Sequence, residues 1–413
     1  MQKQYSFQLK LTKIIYLLFF ALILYKSNNA YISPDEAYSF LEYVFTGDLL
    51  NIGLANNHLL NNFLIYVTTL FSYKEILLRL PNIIAGTIYM YCAYNFSKKF
   101  QTPLLVFCIL SSPPYLIEYF SIGRGYGISV CFIIYGLLSL MSVKSNHEEK
   151  ILRAGWFFIL ASYSIHISAI FFSVLILFNL KQILESSNYK FYFNLILQFL
   201  LILPIAYLIF NITASGKPLY GIEKIGIFEL IFSGLGLIDL ILIGTTFSLY
   251  FGWIIYIPLF LFKKFTKEEK LIILISYTSL VLVYLLPAIF GKTLPTLRVL
   301  TPFLPGILLS LIFSILYILN NMKITNKTLV TYTVSTILVF NLLVNFDSKY
   351  YFDWVDEFDG TIAANYSNPK FDKCVFSEYT YGDKRAEYYR IKAMYVNEIY
   401  CDPFTLTIIN KGN

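Results

Sequence analysis

Two adjacent acidic residues, Asp35 and Glu36, stand in the stretch AYISPDEAYSF directly after the first apolar run of the chain. A carboxylate beside hydrocarbon costs on the order of 2.5–3.5 kcal/mol on insertion scales, so two neighbouring ones need a reason. One reason is structural: Ser33 caps a helix, Pro34 takes its first position, and the acids face the positive end of the helix dipole. The other is chemical, a carboxylate base that activates a hydroxyl group. The sequence leaves both reasons open.

Three arginines border apolar runs that follow the acidic pair: Arg79 in LLRLPNIIAG, Arg124 in SIGRGYGIS and Arg298 in LPTLRVLTPFLP. Any one of them fits a boundary anchor whose stem lies along the membrane surface. Together they offer guanidinium forks that match phosphate oxygens, so they are candidate substrate-binding residues. The glycines on both sides of Arg124 would let the backbone approach a ligand closely.

Further candidates for substrate contact are His58 in ANNHLL, His166 in YSIHIS and Glu118. The topology derived below places all three on the same side of the membrane as the acidic pair. A structural role is the alternative for each: a lone histidine is often a packing residue, and Glu118 could simply end its helix. The third histidine, His147, falls in a charged loop and is predicted to be solvated.

The composition is that of a membrane protein. Of the 413 residues, 57% are hydrophobic and only 14% are charged, whereas a soluble domain is nearer about 25% charged. Apolar runs long enough to cross a bilayer recur from residue 14 to about residue 346. The net charge of +7 does not indicate a nucleic-acid partner. The basic excess lies in short loops between the runs, as the positive-inside rule requires.

The Lys and Arg clusters place the amino terminus in the cytoplasm and predict about eleven spans, with His166 at the outer tip of a bent pair over 154–180. The other predicted spans are 13–26, 77–97, 102–118, 126–143, 191–211, 246–262, 271–290, 299–319 and 327–346. The first outer loop, 27–75, is predicted to contain an amphipathic helix that lies in the interface.

Two domains are predicted, an all-α polytopic membrane domain over 1–346 and a small extracytoplasmic domain over 347–413. The second region has mixed charge and alternating stretches such as KCVFSEY, which favour a small α/β fold. Cys374 and Cys401 lie in it and could form a disulfide in an oxidising compartment.

The order of these motifs resembles the GT-C membrane glycosyltransferases, above all the protein mannosyltransferases, aminoarabinose transferases and rhizobial lipopolysaccharide sugar transferases. After the acidic pair come NNHLLNNFLIY, LLRLPNIIAG opening the next span, GRGY in the second outer loop, SYSIHISAIFF, and an arginine before LTPFLPGILL. Each motif is weak alone, but their order and topology are fairly specific. The resemblance covers about residues 10–345.

The resemblance implies that Asp35 activates an acceptor, that Arg79 belongs to the LRLP element, and that Arg124, followed by Tyr126, is the basic residue of the second loop. Glu36 would assist Asp35. The implied donor is a sugar on a polyprenyl phosphate, and the acceptor is a glycan, lipid or protein hydroxyl. The implied reaction is a single inverting displacement at the outer face of a bacterial inner membrane, for cell-envelope glycan or lipopolysaccharide modification. A divalent cation, Mg²⁺ or Mn²⁺, stays an open question, because no cluster of ligands demands one.

Two other classes of function stay open. A secondary transporter would use buried charges as a substrate path, but transporter sites lie near the membrane midplane. A flippase or polymerase would also handle lipid-linked saccharides, although polymerases tend to have a large outer loop late in the chain. Convergence of Asp35, Arg124 and Arg298 outside one membrane face would favour the transferase.

Overall fold

The computed structural model describes residues 2–30, 32–50, 57–72, 74–143, 145–214, 252–289, 297–348, 399–401 and 408–410. Its helices are α1 Gln2–Asn29, α2 Pro34–Ser39, α3 Leu59–Thr69, α4 Glu75–Ser97, α5 Pro103–Ser111, α6 Pro114–Ser121, α7 Tyr126–Leu140, α8 His147–Ser164, α9 Ala169–Glu185, α10 Tyr189–Ala214, α11 Ile257–Phe260, α12 Lys267–Ile289, α13 Leu304–Asn320 and α14 Ile324–Val344. A π-helix, Phe40–Phe45, continues α2, and 3₁₀ turns cover His166–Ser168, Gly252–Tyr256, Phe262–Lys264 and Leu297–Phe303. Two short antiparallel strands, β1 Ile399–Cys401 and β2 Ile408–Asn410, pair Ile399 with Asn410.

Among the described residues, six helical segments are long and apolar enough to cross a membrane. They are α1, α4, α10, the segment from His166 through α9, the segment of Val299–Asn320 that includes α13, and most of α14. The bent pair α5 and α6 would be a seventh. The chain is therefore an integral membrane protein, while the predicted count of eleven spans is not confirmed. The predicted span 246–262 begins outside the described residues, and its described part is short 3₁₀ and α segments.

The span predicted as one helix over 102–118 is two helices, α5 and α6, which meet at an angle of 56°. The cause is the pair Pro113-Pro114 in the sequence SSPPYL. A proline has no N–H to donate into the helix ladder, and it excludes the preceding residue from the helical region. The bent pair predicted over 154–180 is confirmed, because α8 ends at Ser164 and α9 begins at Ala169 after the 3₁₀ turn that contains His166.

The core of the bundle is one continuous buried cluster of apolar residues, to which α4, α7, α8, α13 and the fully buried pair α5 and α6 all contribute. Of the best apolar window in the α13 segment 89% is buried, against 17% in α14 and 22% in α10. A helix that is apolar all round and packed on all sides is a core helix, whereas α10 and α14 expose their apolar side chains to lipid. The predicted domain over 347–413 falls mostly outside the described residues.

The helix predicted for the first outer loop is α3, which has 11 residues and is too short to span. One face buries Asn61, Asn62 and Ile65, while Phe63 and Tyr66 on another face are exposed. The helix packs on α4 through its polar face. Through this polar face α3 contributes Asn61 to the site described below.

The contact of α4 with α6 requires a glycine at position 86. A Cβ at Gly86 would lie 2.7 Å from Cγ and 2.8 Å from Cβ of Phe120, so Gly86→Ala forces the two helices apart. Overpacking of this kind costs about 1–3 kcal/mol. We expect a lower thermal unfolding midpoint in detergent, with Thr87→Ala, one residue along the same helix, as the control. An unchanged midpoint for Gly86→Ala would contradict the packing.

Candidate active site

The acidic pair begins α2 as a helix cap. The Ser33 hydroxyl accepts a hydrogen bond from the backbone N–H of Glu36 at 3.2 Å, and the Ser33 N–H donates to Glu36 Oε2 at 2.9 Å. Pro34 takes the first helical position. This reciprocal capping box confirms the structural reason for the acidic pair, and it assigns that reason to Glu36.

The Glu36 carboxylate is fully occupied by buried donors. Arg79 donates from Nε to Oε1 at 2.9 Å and from Nη2 to Oε2 at 3.0 Å, which is a bidentate pair. The N–H of Gly123 donates to Oε1 at 2.6 Å. Together with the Ser33 N–H, four donors surround two oxygens. The Glu36 and Arg79 side chains are only 1% and 0% exposed, so Glu36 is held as a structural group.

Arg79 also closes the end of α1. Its Nη1 donates to the carbonyl oxygens of Ser27 at 2.9 Å and Ala30 at 2.8 Å. Carbonyls at a helix C-terminus lack partners within the helix and carry partial negative charge, so a guanidinium is well placed there. Arg79 was predicted to contact substrate, but the structure places it inside the protein, between α1, α2 and α4.

The loop between α6 and α7 is held by amide side chains as well as by Glu36. Asn61 Nδ2 donates to the carbonyl of Gly123 at 3.1 Å, and Asn82 Nδ2 donates to Asn61 Oδ1 at 2.9 Å. Asn82 Oδ1 in turn accepts from the N–H of Ile128 at 3.2 Å. This network therefore fixes the loop at both ends and orients the residue between the glycines, Arg124.

The glycines of this loop permit close packing of backbones. A Cβ at Gly125 would collide with the carbonyl oxygen of Ser164, and one at Gly123 would lie 3.2 Å from Glu36 Oε1 and from the Leu78 carbonyl. The sequence predicted that these glycines let the backbone approach a ligand. Within the described residues, what they approach is the protein itself.

Asp35 is held differently from Glu36. Its Oδ2 lies 3.4 Å from Nη2 of Arg124, and its side chain is 18% exposed. Arg124 is itself buried, and its Nη1 donates to Ser39 Oγ at 2.7 Å and to the Asp35 carbonyl at 3.2 Å. The structure therefore brings Asp35 and Arg124 together, with Asp35 as the accessible carboxylate of the pair.

Tyr43, in the π-helix after α2, lies beside this pair. Burial raises the pKa of the Tyr43 hydroxyl, the neighbouring Tyr38 raises it further, and Arg124 partly opposes the rise. The Tyr38 and Tyr43 rings meet edge to face with centroids 6.0 Å apart. Tyr43 is therefore a neutral wall of the site at neutral pH.

His58 and Tyr126 lie together next to the loop. His58 Nδ1 is 3.0 Å from the carbonyl oxygen of Ser164, which can only accept, so Nδ1 carries the proton. Ser164 is the last residue of α8, so this carbonyl has no partner further along the helix. The Tyr126 ring lies 5.7 Å from the His58 ring and 4.7 Å from the Tyr119 ring. Both predicted residues are buried.

Glu118 and Lys26 are a second pair of buried side chains with opposite charges. Glu118 is 2% exposed and interacts electrostatically with Lys26, which is 2% exposed near the end of α1. The Lys26 ammonium also lies 5.9 Å from the centre of the Phe346 ring. Glu118 was predicted as a substrate contact, and the structure places it in the interior beside this lysine.

The other two predicted residues are less closely tied to the site. His166 is buried in the 3₁₀ turn between α8 and α9, near the hydrogen-bonded hydroxyls of Ser129 and Ser168. Arg298 is the second residue of the 3₁₀ segment Leu297–Phe303, which precedes α13, and its side chain lies outside the described part of the chain. In that described part, no three His, Cys, Asp or Glu side chains group as metal ligands.

Sequence reasoning missed Ser39, Lys26 and the amide network. Ser39 lies four residues after Asp35, so both sit on one face of the helix that Arg124 contacts. Lys26 is a charge within the first predicted span. These signals were available, whereas Ser39 meets Arg124 across 85 residues of sequence and the members of the amide network are 21 to 62 residues apart.

Solved structures share this fold. ArnT from Cupriavidus metallidurans bound to undecaprenyl phosphate matches with a TM-score of 0.52, over 86% of this chain and 68% of that chain, at 10% identity. The apo state of the same protein matches with a TM-score of 0.53, over 86% and 67%, also at 10% identity. No family model matches the sequence, and no curated protein matches it. The chain therefore has the fold of these ArnT structures, as the motif order predicted.

The two adjacent acids are expected to differ in their effect on stability. Glu36→Gln removes the charge that balances Arg79, and breaking a buried pair costs about 3–5 kcal/mol. Asp35→Asn also removes the charge that faces a buried arginine, Arg124, but Asp35 is 18% exposed and its contact is longer, so the loss of stability should be smaller. Thermal unfolding of both purified variants in detergent measures this. Equal midpoints for the two variants would contradict the structural role of Glu36.

Proposed function

We propose that the protein is a polyprenyl-phosphate-dependent glycosyltransferase, which moves a sugar from a lipid phosphate donor to an acceptor hydroxyl at the extracytoplasmic membrane face. The observation that carries the proposal is Asp35: it is the accessible carboxylate of a buried charged cluster, at the end of the first span of an ArnT-like fold. The crystal structure of ArnT with undecaprenyl phosphate supports a lipid phosphate as the donor class.

Asp35 is the proposed general base. Its carboxylate accepts the proton of the acceptor hydroxyl while the hydroxyl oxygen attacks the anomeric carbon of the donor. The bond from that carbon to the phosphate oxygen breaks, and the polyprenyl phosphate leaves with the electron pair. Attack opposite the leaving group inverts the anomeric centre. Phosphate is a good leaving group, so the proposal needs no strong general acid.

Arg124 is proposed to position Asp35. It holds the backbone carbonyl, the carboxylate and the following Ser39 at once, which fixes the start of α2 around the base. Its side chain is 1% exposed, which supports a role through Asp35 more than direct contact with a phosphate. Arg298 is then the arginine proposed to neutralise charge on the leaving phosphate. His58, His166 and Tyr126 are buried as Arg124 is, so they are proposed to support the site and not to contact substrate directly.

The position of the charges supports a transferase over a transporter. Arg79 is the fifth residue of α4, about 6 Å along a helix of about 35 Å, so the cluster lies near one end of the bundle. Transporter sites lie near the midplane. We further propose that this end faces away from the cytoplasm of a bacterial inner membrane, with the amino terminus inside and residues 347–413 outside. The acceptor is proposed to be a glycan, lipid or protein of the envelope. Whether transfer depends on Mg²⁺ or Mn²⁺ is a question for activity measurements with and without the ion.

Asp35→Asn is expected to lower transfer by about a hundredfold or more, because it keeps the shape of the side chain and removes its basicity. The measurement is release of polyprenyl phosphate from a polyprenyl-phosphate sugar by the purified protein in nanodiscs. The matched controls are the unfolding midpoint, which should fall less than that of Glu36→Gln, and Asp48→Asn in the exposed part of the first loop. Wild-type turnover by Asp35→Asn would remove Asp35 from the chemistry.

Arg124→Lys is expected to lower turnover about ten- to a hundredfold, because an ammonium group cannot hold three oxygens with the geometry of the planar fork. If Arg124 positions the base, turnover falls while the Michaelis constant for the donor stays unchanged. A raised Michaelis constant would instead indicate direct phosphate binding, as the sequence first predicted. Ser39→Ala should reproduce a smaller part of the turnover effect. Full activity of Arg124→Lys would exclude both roles.

A further inference from the structure

One cavity of the structure lies far from Asp35, at the carboxyl end of α4. It has a volume of about 420 Å³, and its walls include Gln8 of α1, Lys98, Lys99 and Thr102 after α4, and Lys327 of α14. A second cavity of about 300 Å³ shares Lys99, Thr102 and Lys327 with it. We call the two together the basic cavity. Their combined size is within the range of small-molecule sites.

The basic cavity and Asp35 lie at opposite ends of the bundle. Arg79 stands in the second turn of α4, and Lys98 stands at the carboxyl end of the same helix. Nineteen residues separate them, which is about 28 Å of helix, close to the thickness of the hydrocarbon core. A ligand in the basic cavity therefore faces the other membrane surface and is separate from the proposed transfer site.

The walls of the basic cavity carry several positive charges and one carboxylate. Within the described residues, Lys98 and Lys99 lie over the rings of Tyr94 and Phe96, and Lys327 contacts the Asn320 amide oxygen, without an ion pair to any carboxylate. A fourth lysine, Lys264, lines the second cavity. The carboxylate there, Glu269, accepts from the N–H and hydroxyl of Thr266 at 2.8 and 2.9 Å. The walls of the basic cavity therefore carry a net positive charge, and the expected ligand is an anion.

Two buried polar groups in the walls provide the second observation. Thr102 is 4% exposed and Gln8 is 2% exposed. Among the residues described, the Thr102 hydroxyl and the Gln8 side-chain oxygen have no hydrogen-bond partner. Burying such a group without a partner is unfavourable, so a ligand or water that pairs with it is expected. Gln8 and Thr102 are both among the residues that line the cavity in which the lysines lie.

We propose that the basic cavity is a binding site for an anionic phosphate group attached to a polyol, either a phospholipid headgroup or a soluble sugar or glycerol phosphate. Lys99 and Lys327 neutralise the phosphate, and the Thr102 hydroxyl donates to one of its oxygens. The Gln8 side-chain oxygen accepts from a hydroxyl of the polyol. A lipid is the natural source for such a group at the end of a membrane bundle, because the headgroup reaches the cavity while the acyl chains stay in the bilayer.

The test uses the full-length protein in nanodiscs of equal parts phosphatidylcholine and phosphatidylglycerol, with native mass spectrometry of the retained lipid. The wild type should retain phosphatidylglycerol in preference to phosphatidylcholine. In Lys99→Gln/Lys327→Gln the preference for phosphatidylglycerol should be about fivefold lower for each lysine replaced, and on the order of twentyfold lower for both. Thr102→Val, which keeps the size of the side chain, should lose several-fold.

The matched control is Lys181→Gln/Lys190→Gln. It makes the same change in net charge at lysines on α9 and α10 that do not line the basic cavity, and it should stay within about twofold of wild type. Lys99→Arg/Lys327→Arg keeps the charges and should keep the preference, which separates a lost site from a misfolded protein. If the glutamine pair does not fold, Thr102→Val against the arginine pair gives the same comparison.

Two further arms identify the source of the phosphate. Inorganic phosphate and glycerol 3-phosphate are added to the protein in pure phosphatidylcholine nanodiscs, and the unfolding midpoint is measured. Stabilisation of the wild type that is lost in Lys99→Gln/Lys327→Gln supports a soluble phosphate ligand. Selective lipid retention without this stabilisation supports a headgroup. Equal lipid retention by wild type, glutamine pair and control, together with no stabilisation by either phosphate, would overturn the proposal.

Discussion

The bidentate contact between Arg79 and Glu36 is the interaction on which the arrangement of this site depends. The Arg79 guanidinium lies in the second turn of α4. It donates to the carbonyls of Ser27 and Ala30 at the end of α1 and to the Glu36 carboxylate in α2. Through Glu36 it also reaches the N–H of Gly123. A buried pair of this kind adds little stability compared with an apolar contact of the same volume, but losing one partner is expensive. The pair therefore fixes where four segments meet rather than simply strengthening the fold.

The different surroundings of Asp35 and Glu36 follow from that contact. Successive residues of a helix point about 100° apart, so when Glu36 faces Arg79 the neighbouring Asp35 must face elsewhere. It faces Arg124, whose position is set by Gly123 on one side and by the close contact of Gly125 with the end of α8 on the other. The charges and amides around Asp35 thus orient the base that we propose, through contacts within the protein itself.

The bundle has chemically distinct ends. At one end, acids and arginines are paired inside the protein and leave one carboxylate accessible. At the other end, lysines line a cavity and two of them lie over aromatic rings. The described carboxylate there, Glu269, accepts a hydrogen bond from Thr266 at the start of its own helix. The long helices α1 and α4 run from one end to the other. A protein that handles a lipid phosphate at one membrane face and binds a phosphate group at the other would need this asymmetry.

The sequence by itself determined the elements whose causes are local. The Ser33 cap, the proline at the first position of α2, the break at His166 and the short helix α3 all follow from neighbouring residues. The break at Pro113-Pro114 was also local, although the apolar run around it suggested one continuous span. Only the tertiary structure decided which of the two acids is accessible, because the partners Arg79 and Arg124 lie 43 and 89 residues away. It also decided that the glycines of GRG pack against backbone, since a glycine permits close approach but does not specify what approaches it.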